Sequence, residues 1–186
     1  RAKTSAALHE SESRLQSLVT HMPGVLYQFC LHSDGRYSVP YINHACEEIY
    51  ELSAETIQNT PAALYELIDP KDRLGLELSM RASAEKLSAW NSEHRLTTPS
   101  GKAKWVQMAS KPQPMPTTGS ILWSGVIIDI TARKQAEAKL QTSETKLRSQ
   151  TKQLKATLTK LKHTQVKLVQ SEKMSSLGQL VAGIAH

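Results

Sequence analysis

Phenylalanine is almost missing from this chain: one Phe stands beside five Tyr and three Trp. Cysteine is scarce too. Cys30 and Cys46 are isolated and lack metal-ligand spacing, which argues against a disulfide framework and predicts free thiols in a reducing compartment. No apolar run approaches the roughly 18 residues that a membrane-spanning helix needs. The start, Arg1-Ala2-Lys3-Thr4, has no apolar core behind it, so no signal peptide is visible. The location expected from these absences is cytoplasmic, with membrane attachment left to any upstream part of a longer protein. No glycine-rich phosphate loop is present, neither GxxxxGK nor GxGxxG, so no nucleotide-binding domain is expected within these residues.

Acid is lacking only near the C-terminus. Residues 132–186 hold eleven Lys/Arg against three Glu, while residues 1–131 hold twelve against fourteen Asp/Glu. The net +6 therefore belongs to the last segment. A basic helix suits nucleic acid or an anionic membrane surface; the plainer reading, adopted here, is a solvated face. Glycine and proline are absent between Ala132 and Lys173, so nothing there interrupts a helix.

What is present reads in order. Residues 4–20 predict a helix, with Leu8, Leu15 and Val19 on one side and Pro23-Gly24 ending it. Residues 25–32 alternate as a half-buried strand, Ser33-Asp34-Gly35 turns, and Arg36 to Ile42 returns, with Pro40 marking an edge or bulge. Short helices follow, capped by Asn43 and Ser53, and another opens at Thr60-Pro61. Asp69-Pro70 opens a longer helix to about Leu87, whose expected buried stripe is Leu74, Leu78, Ala82 and Leu87. Strands then return at 90–98, 103–115 and 120–131, the last so apolar that a central position in the sheet is expected. Hairpins with helices gathered between them predict an α+β domain with a five-stranded antiparallel sheet.

Beyond it, Leu140, Leu147, Leu154, Leu161 and Leu168 fall at sevens, joined by Leu158. That is a coiled-coil seam, and a parallel homodimer is expected. The seam is weak: with these leucines at d, the a positions are Glu137, Glu144, Thr151, Leu158, Gln165 and Glu172. After Leu168 the apolar phase shifts to Met174, Leu177, Val181 and Ile184. Residues 7–15 also resemble residues 139–147, so the entry helix is the same kind of linker as the exit helix, and the chain is expected to be part of a longer protein.

The final residues, Leu177-Gly178-Gln179-Leu180 and Ala182-Gly183-Ile184-Ala185-His186, resemble the H box of sensor histidine kinases. The resemblance makes His186 the phosphoacceptor, its neutral imidazole being a good nucleophile near pH 7. It implies ATP and Mg for the full-length kinase, a response regulator as partner, and no cofactor or metal in this fragment, which lacks the ATP-binding domain and is expected to be inactive alone.

A second resemblance covers residues 20–137. Asp69-Pro70-Lys71-Asp72-Arg73, the Gly101 to Val106 strand, and Gly125-Val126-Ile127-Ile128-Asp129-Ile130-Thr131 followed by Arg133-Lys134-Gln135-Ala136-Glu137 look like a PAS sensor domain. It implies a linker helix at 1–20, the sensor at 21–131, a signalling helix at 132–173 and the start of the phosphoacceptor helix at 174–186. Asp129, Thr131 and Arg133 are the expected signal-transfer residues. Asp129 and Thr131 can cap the exit helix, and Asp129 can pair with Arg133.

The ligand stays open. Asn59-Thr60-Pro61 lacks the Cys of flavin-binding members, residues 70–87 lack a haem-ligating His, and His44 and His94 read as surface or core residues. Tyr27, Phe29, Trp105 and Trp123 could line a pocket, or serve as plain core. Two rival readings are a leucine-zipper-like DNA-binding regulator and a purely structural dimerisation module. Against the first, the Lys residues are interleaved with the leucines rather than set in a block before them, so no nucleic acid is expected.

Overall fold

A computed structural model describes the backbone of residues 24–184 and the side chains as far as Ser175. The expected entry helix at residues 4–20 and the acceptor His186 lie outside the described residues. The chain divides into two units, one ending at Lys134 and one beginning at Gln135.

The first unit is a five-stranded antiparallel sheet: β1 (Val25–Leu31), β2 (Tyr37–Ile42), β3 (Trp90–Thr97), β4 (Ala103–Met115) and β5 (Ser120–Asp129), in the order β2-β1-β5-β4-β3. β5 is central, as its apolar sequence requires, and β2 with Pro40 is an edge. Pro112 and Pro114 fall where β4 has passed the end of β3 and pairs with β5 alone, so their missing N–H groups leave no ladder bond unmade. Four helices fill the β2–β3 connection: α1 (Cys46–Tyr50), α2 (Ala54–Asn59), α3 (Ala62–Leu67) and α4 (Pro70–Lys86).

The helices bury one face of the sheet. Val25, Tyr27, Ile42, Val106 and Ile127 from the strands meet Cys46, Ile49, Tyr50 and Ile57 from α1 and α2. A second cluster joins Met80 of α4 to Trp90 and Trp123. There the two indoles are tied to α4 by polar bonds, Trp90 Nε1 to Ser79 Oγ at 2.9 Å and Trp123 Nε1 to Ser83 Oγ at 3.0 Å. Burying each indole contributes about 3 kcal/mol, and the serines leave neither N–H unpaired.

Two local expectations need correction. The stripe Leu74, Leu78, Ala82 and Leu87 is not the buried face of α4: Leu74 is 67% exposed and Leu78 58%. The inward face is Leu76, Met80, Ser83 and Ala84. Two of its inward contacts are made by serines, so counting leucines picks the wrong side. Asn43 does not cap α1. Its carboxamide oxygen instead accepts from the Leu26 N–H at 3.1 Å, and its own N–H bonds Leu26 O at 3.0 Å. It pins the end of β2 to β1. Ser53 and Asp69 do cap α2 and α4, through Thr56 N–H and Lys71 N–H.

The second unit is helical. α5 (Thr131–Ile184) starts in the first unit and continues without a break. Leu140, Leu147, Leu154, Leu158, Leu161 and Leu168 are all exposed on this single chain, Leu168 at 65%. Six threonines between Thr142 and Thr164 return their hydroxyls to the carbonyl four residues back, which satisfies them locally and loosens the helix slightly. Among the described residues no helix is long and apolar enough to cross a membrane.

Candidate functional site

The place where the sheet hands over to α5 is built by the start of β4. Ile130, buried beneath the turn, donates its N–H to Trp105 O at 2.8 Å. The Trp105 N–H in turn donates to Thr131 Oγ1 at 2.9 Å. The Thr131 hydroxyl is then free to donate to Asp129 Oδ1, at 2.5 Å, and the Thr131 N–H reaches the same oxygen at 2.9 Å. Asp129 is thus the side-chain cap that its position two residues before the helix suggests. The first helical bond, Lys134 N–H to Ile130 O at 3.0 Å, follows directly.

Charge reinforces the turn from both sheet faces. Lys104 extends its ammonium to the carbonyl of Glu48 in α1 and lies 3.7 Å from Asp129 Oδ2. It therefore joins a helix of the core to the cap. On the other face Glu93 of β3 receives both Arg133, at 2.5 Å, and Lys134, at 2.6 Å. Lys134 and then Arg133 hold the Glu93 carboxyl below its ordinary range. The expected partner of Arg133 was Asp129; the structure brings it a carboxylate from a different strand.

Trp105 presents its ring to two cations, Arg95 at 5.5 Å and Lys134 at 5.0 Å from the ring centroid. Arg95 is itself fixed by Asp72 of α4, which accepts from its backbone N–H at 2.9 Å, its Nε at 2.9 Å and its Nη2 at 2.6 Å. Those bonds hold the Asp72 carboxyl down at about 2. The structure thus gathers Asp129, Thr131 and Arg133 at one turn and adds Lys104, Trp105, Glu93, Lys134, Arg95 and Asp72. The one clue to the additions was Glu93 and Arg95, two apart and so on one face of a strand. Phe29 and Trp123 pack ring to ring at 5.9 Å and belong to the core. Tyr27 is buried, and burial pushes its hydroxyl up to about 12. His94, expected at the surface or in the core, is buried, and burial lowers it to about 4.

Residues 39–127 match the family described as PAS fold. The sheet and its helices are a PAS domain. Solved structures agree on the fold. A sensory box histidine kinase/response regulator from Burkholderia thailandensis is 22% identical with a TM-score of 0.55, over 73% of this chain and 98% of that one. A PAS domain from Colwellia psychrerythraea is 19% identical with a TM-score of 0.50, over 65% and 97%. The N-terminal domain of a diguanylate cyclase with PAS/PAC sensor from Marinobacter aquaeolei is 11% identical, also at 0.50, over 59% and 98%. No curated protein matches the sequence. In this PAS domain the cap, the two-faced ion pairs and the cation-bearing indole all converge on the first turn of α5.

Proposed function

We propose that this chain is the sensory and dimerisation part of a two-component sensor histidine kinase. A change in the PAS domain passes through Asp129, Thr131 and Arg133 into α5, along a parallel coiled coil, to phosphoacceptor His186. The observation that carries this reading is continuity: the helix whose first residue the cap grips runs as one element to Ile184, inside the stretch that resembles an H box. A cap and ion pairs on one short turn bind the helix's first turn to the sheet, so a shift in the sheet is felt by that turn rather than absorbed in a loop. The sensory box histidine kinase among the similar structures supports the same context. ATP with Mg is then used by a separate domain of the full-length protein, and a response regulator takes the phosphoryl group.

The test uses a longer protein carrying this chain together with its ATP-binding domain. Incubation with labelled ATP is expected to give acid-labile, base-stable label that His186→Gln removes. Label that survives this substitution sinks the assignment.

A further inference from the structure

Trp105 is an odd residue to find where it is. It belongs to neither apolar cluster of the PAS domain, and it faces away from the helices that bury the sheet. Two cations from different elements lie over its indole ring. Cations seat on an indole face because the ring quadrupole presents negative charge there. One of them, Arg95, is the direct cross-strand partner of Trp105. Asp72 holds that guanidinium, while the Asp69 N–H bonds Arg95 O at 2.9 Å and Ile68 bridges to Leu96. The start of α4 is therefore stitched to β3 by main chain and side chain together. The other cation, Lys134, lies in the first turn of α5.

We propose that Trp105 is the positioning residue that couples the start of α4 to the first turn of α5, with Arg95 and Lys134 both seated on its indole ring. The proposal rests on the reading of the exit turn as a signal-transfer segment and names the side chain that feeds it. Movement of the α4 start carries Asp72 and with it Arg95. The indole follows through its contact with Arg95, its main chain being fixed by Ile130 and Thr131. Lys134 then changes its seat. A competing route exists: Glu93 sits two residues from Arg95 on β3 and holds Lys134 and Arg133 directly.

The two routes separate by hydrogen exchange at the Lys134 amide in the full chain, read relative to the amides of β5. Asp72→Asn is expected to speed that exchange about fivefold, the size usual for coupled neighbours. Trp105→Phe, which keeps a ring face, retains the effect. Trp105→Leu and, separately, Lys134→Gln reduce it to less than about twofold. Acceleration of the same size in either of those two chains overturns the proposal and places the route in β3 and Glu93. No acceleration by Asp72→Asn in the otherwise unaltered chain overturns it as well. If Trp105→Leu does not fold, Glu93→Gln, which leaves the indole and both its cations in place, decides instead: acceleration kept there supports the indole route, and acceleration lost overturns it. The exchange result needs no phosphate transfer, so failure of His186 to take label and failure of this coupling are read in separate experiments.

Discussion

Single residues in this PAS domain carry burdens that their types alone do not announce. His94 is enclosed, 3% exposed, with its Nδ1 lacking a hydrogen-bond partner among the described residues. Burial pushes its pKa down to about 4, only partly opposed by the Asp72 carboxylate. The folded imidazole therefore stays neutral while the unfolded one takes up a proton below about 6.5. Stability is lost as pH falls through that window, by about 2 kcal/mol between pH 7 and pH 5 from this group. Chemical denaturation at the two pH values checks it: His94→Leu should show a shallower loss than the unaltered chain, and an equal slope would refute the assignment. Gly125 carries a different burden. A Cβ there would lie 2.2 Å from Ala109 O and 2.5 Å from Ser110 Cβ, across the central β4–β5 ladder. Gly125→Ala should cost about 3 kcal/mol, since neither backbone nor ladder can yield.

At the scale of elements, α4 and the exit turn show what sequence periodicity delivers and what it misses. Every strand was legible because alternation and turn residues agree locally: Ser33-Asp34-Gly35, Pro99 to Lys102 and Pro116 to Gly119 each close a hairpin or a return. The cap at Ser53 and the Asp69-Pro70 start of α4 were legible for the same reason. The inward face of α4 was not, because Ser79 and Ser83 receive indole N–H groups that come from strands remote in sequence. At the exit turn the cap residues were legible and their ion-pair partners were not, since Lys104, Glu93 and Arg95 reach it only through sheet pairing. Gly75 gives a test of α4 as an element. Nothing lies within 4 Å of a Cβ built there, so Gly75→Ala should raise stability by about 1 kcal/mol, through helix propensity and a less free unfolded chain. A lowered melting temperature would mean that α4 is held in a different way. For the exit turn, Asp129→Ala should cost about 1 kcal/mol, the value of one N-cap, and should raise hydrogen exchange in the first turn of α5 before it affects β5.

At the scale of the whole molecule the proposed pairing of α5 is what can be tested. Six exposed leucines on one stripe are not stable facing water, and the charge pattern beside them bears on orientation. With Leu140, Leu147, Leu154, Leu161 and Leu168 at d, the e positions include Arg148, Lys155 and Lys162, whereas the g positions are Ser143, Gln150, Thr157, Thr164 and Ser171. Antiparallel pairing would set those cations against one another, while parallel pairing sets them against neutral side chains. The sequence thus disfavours one orientation without supplying ion pairs to the other, and the polar a positions hold the seam short of full strength. Leu147→Cys should accordingly form a symmetric disulfide under mild oxidation, because equivalent d residues face each other only in a parallel pair; Cys30 and Cys46 are buried and do not compete. Failure to cross-link would exclude the parallel rod. The weakness has its own consequence. Filling two a positions by Thr151→Leu and Gln165→Leu should tighten dimerisation by about 1–2 kcal/mol per leucine pair, measured by sedimentation equilibrium. If the polar seam is what lets α5 shift between arrangements, the tightened variant in the longer kinase should label His186 at a rate that no longer responds to Asp72→Asn. A rate that responds as before would show that the message does not depend on a yielding seam.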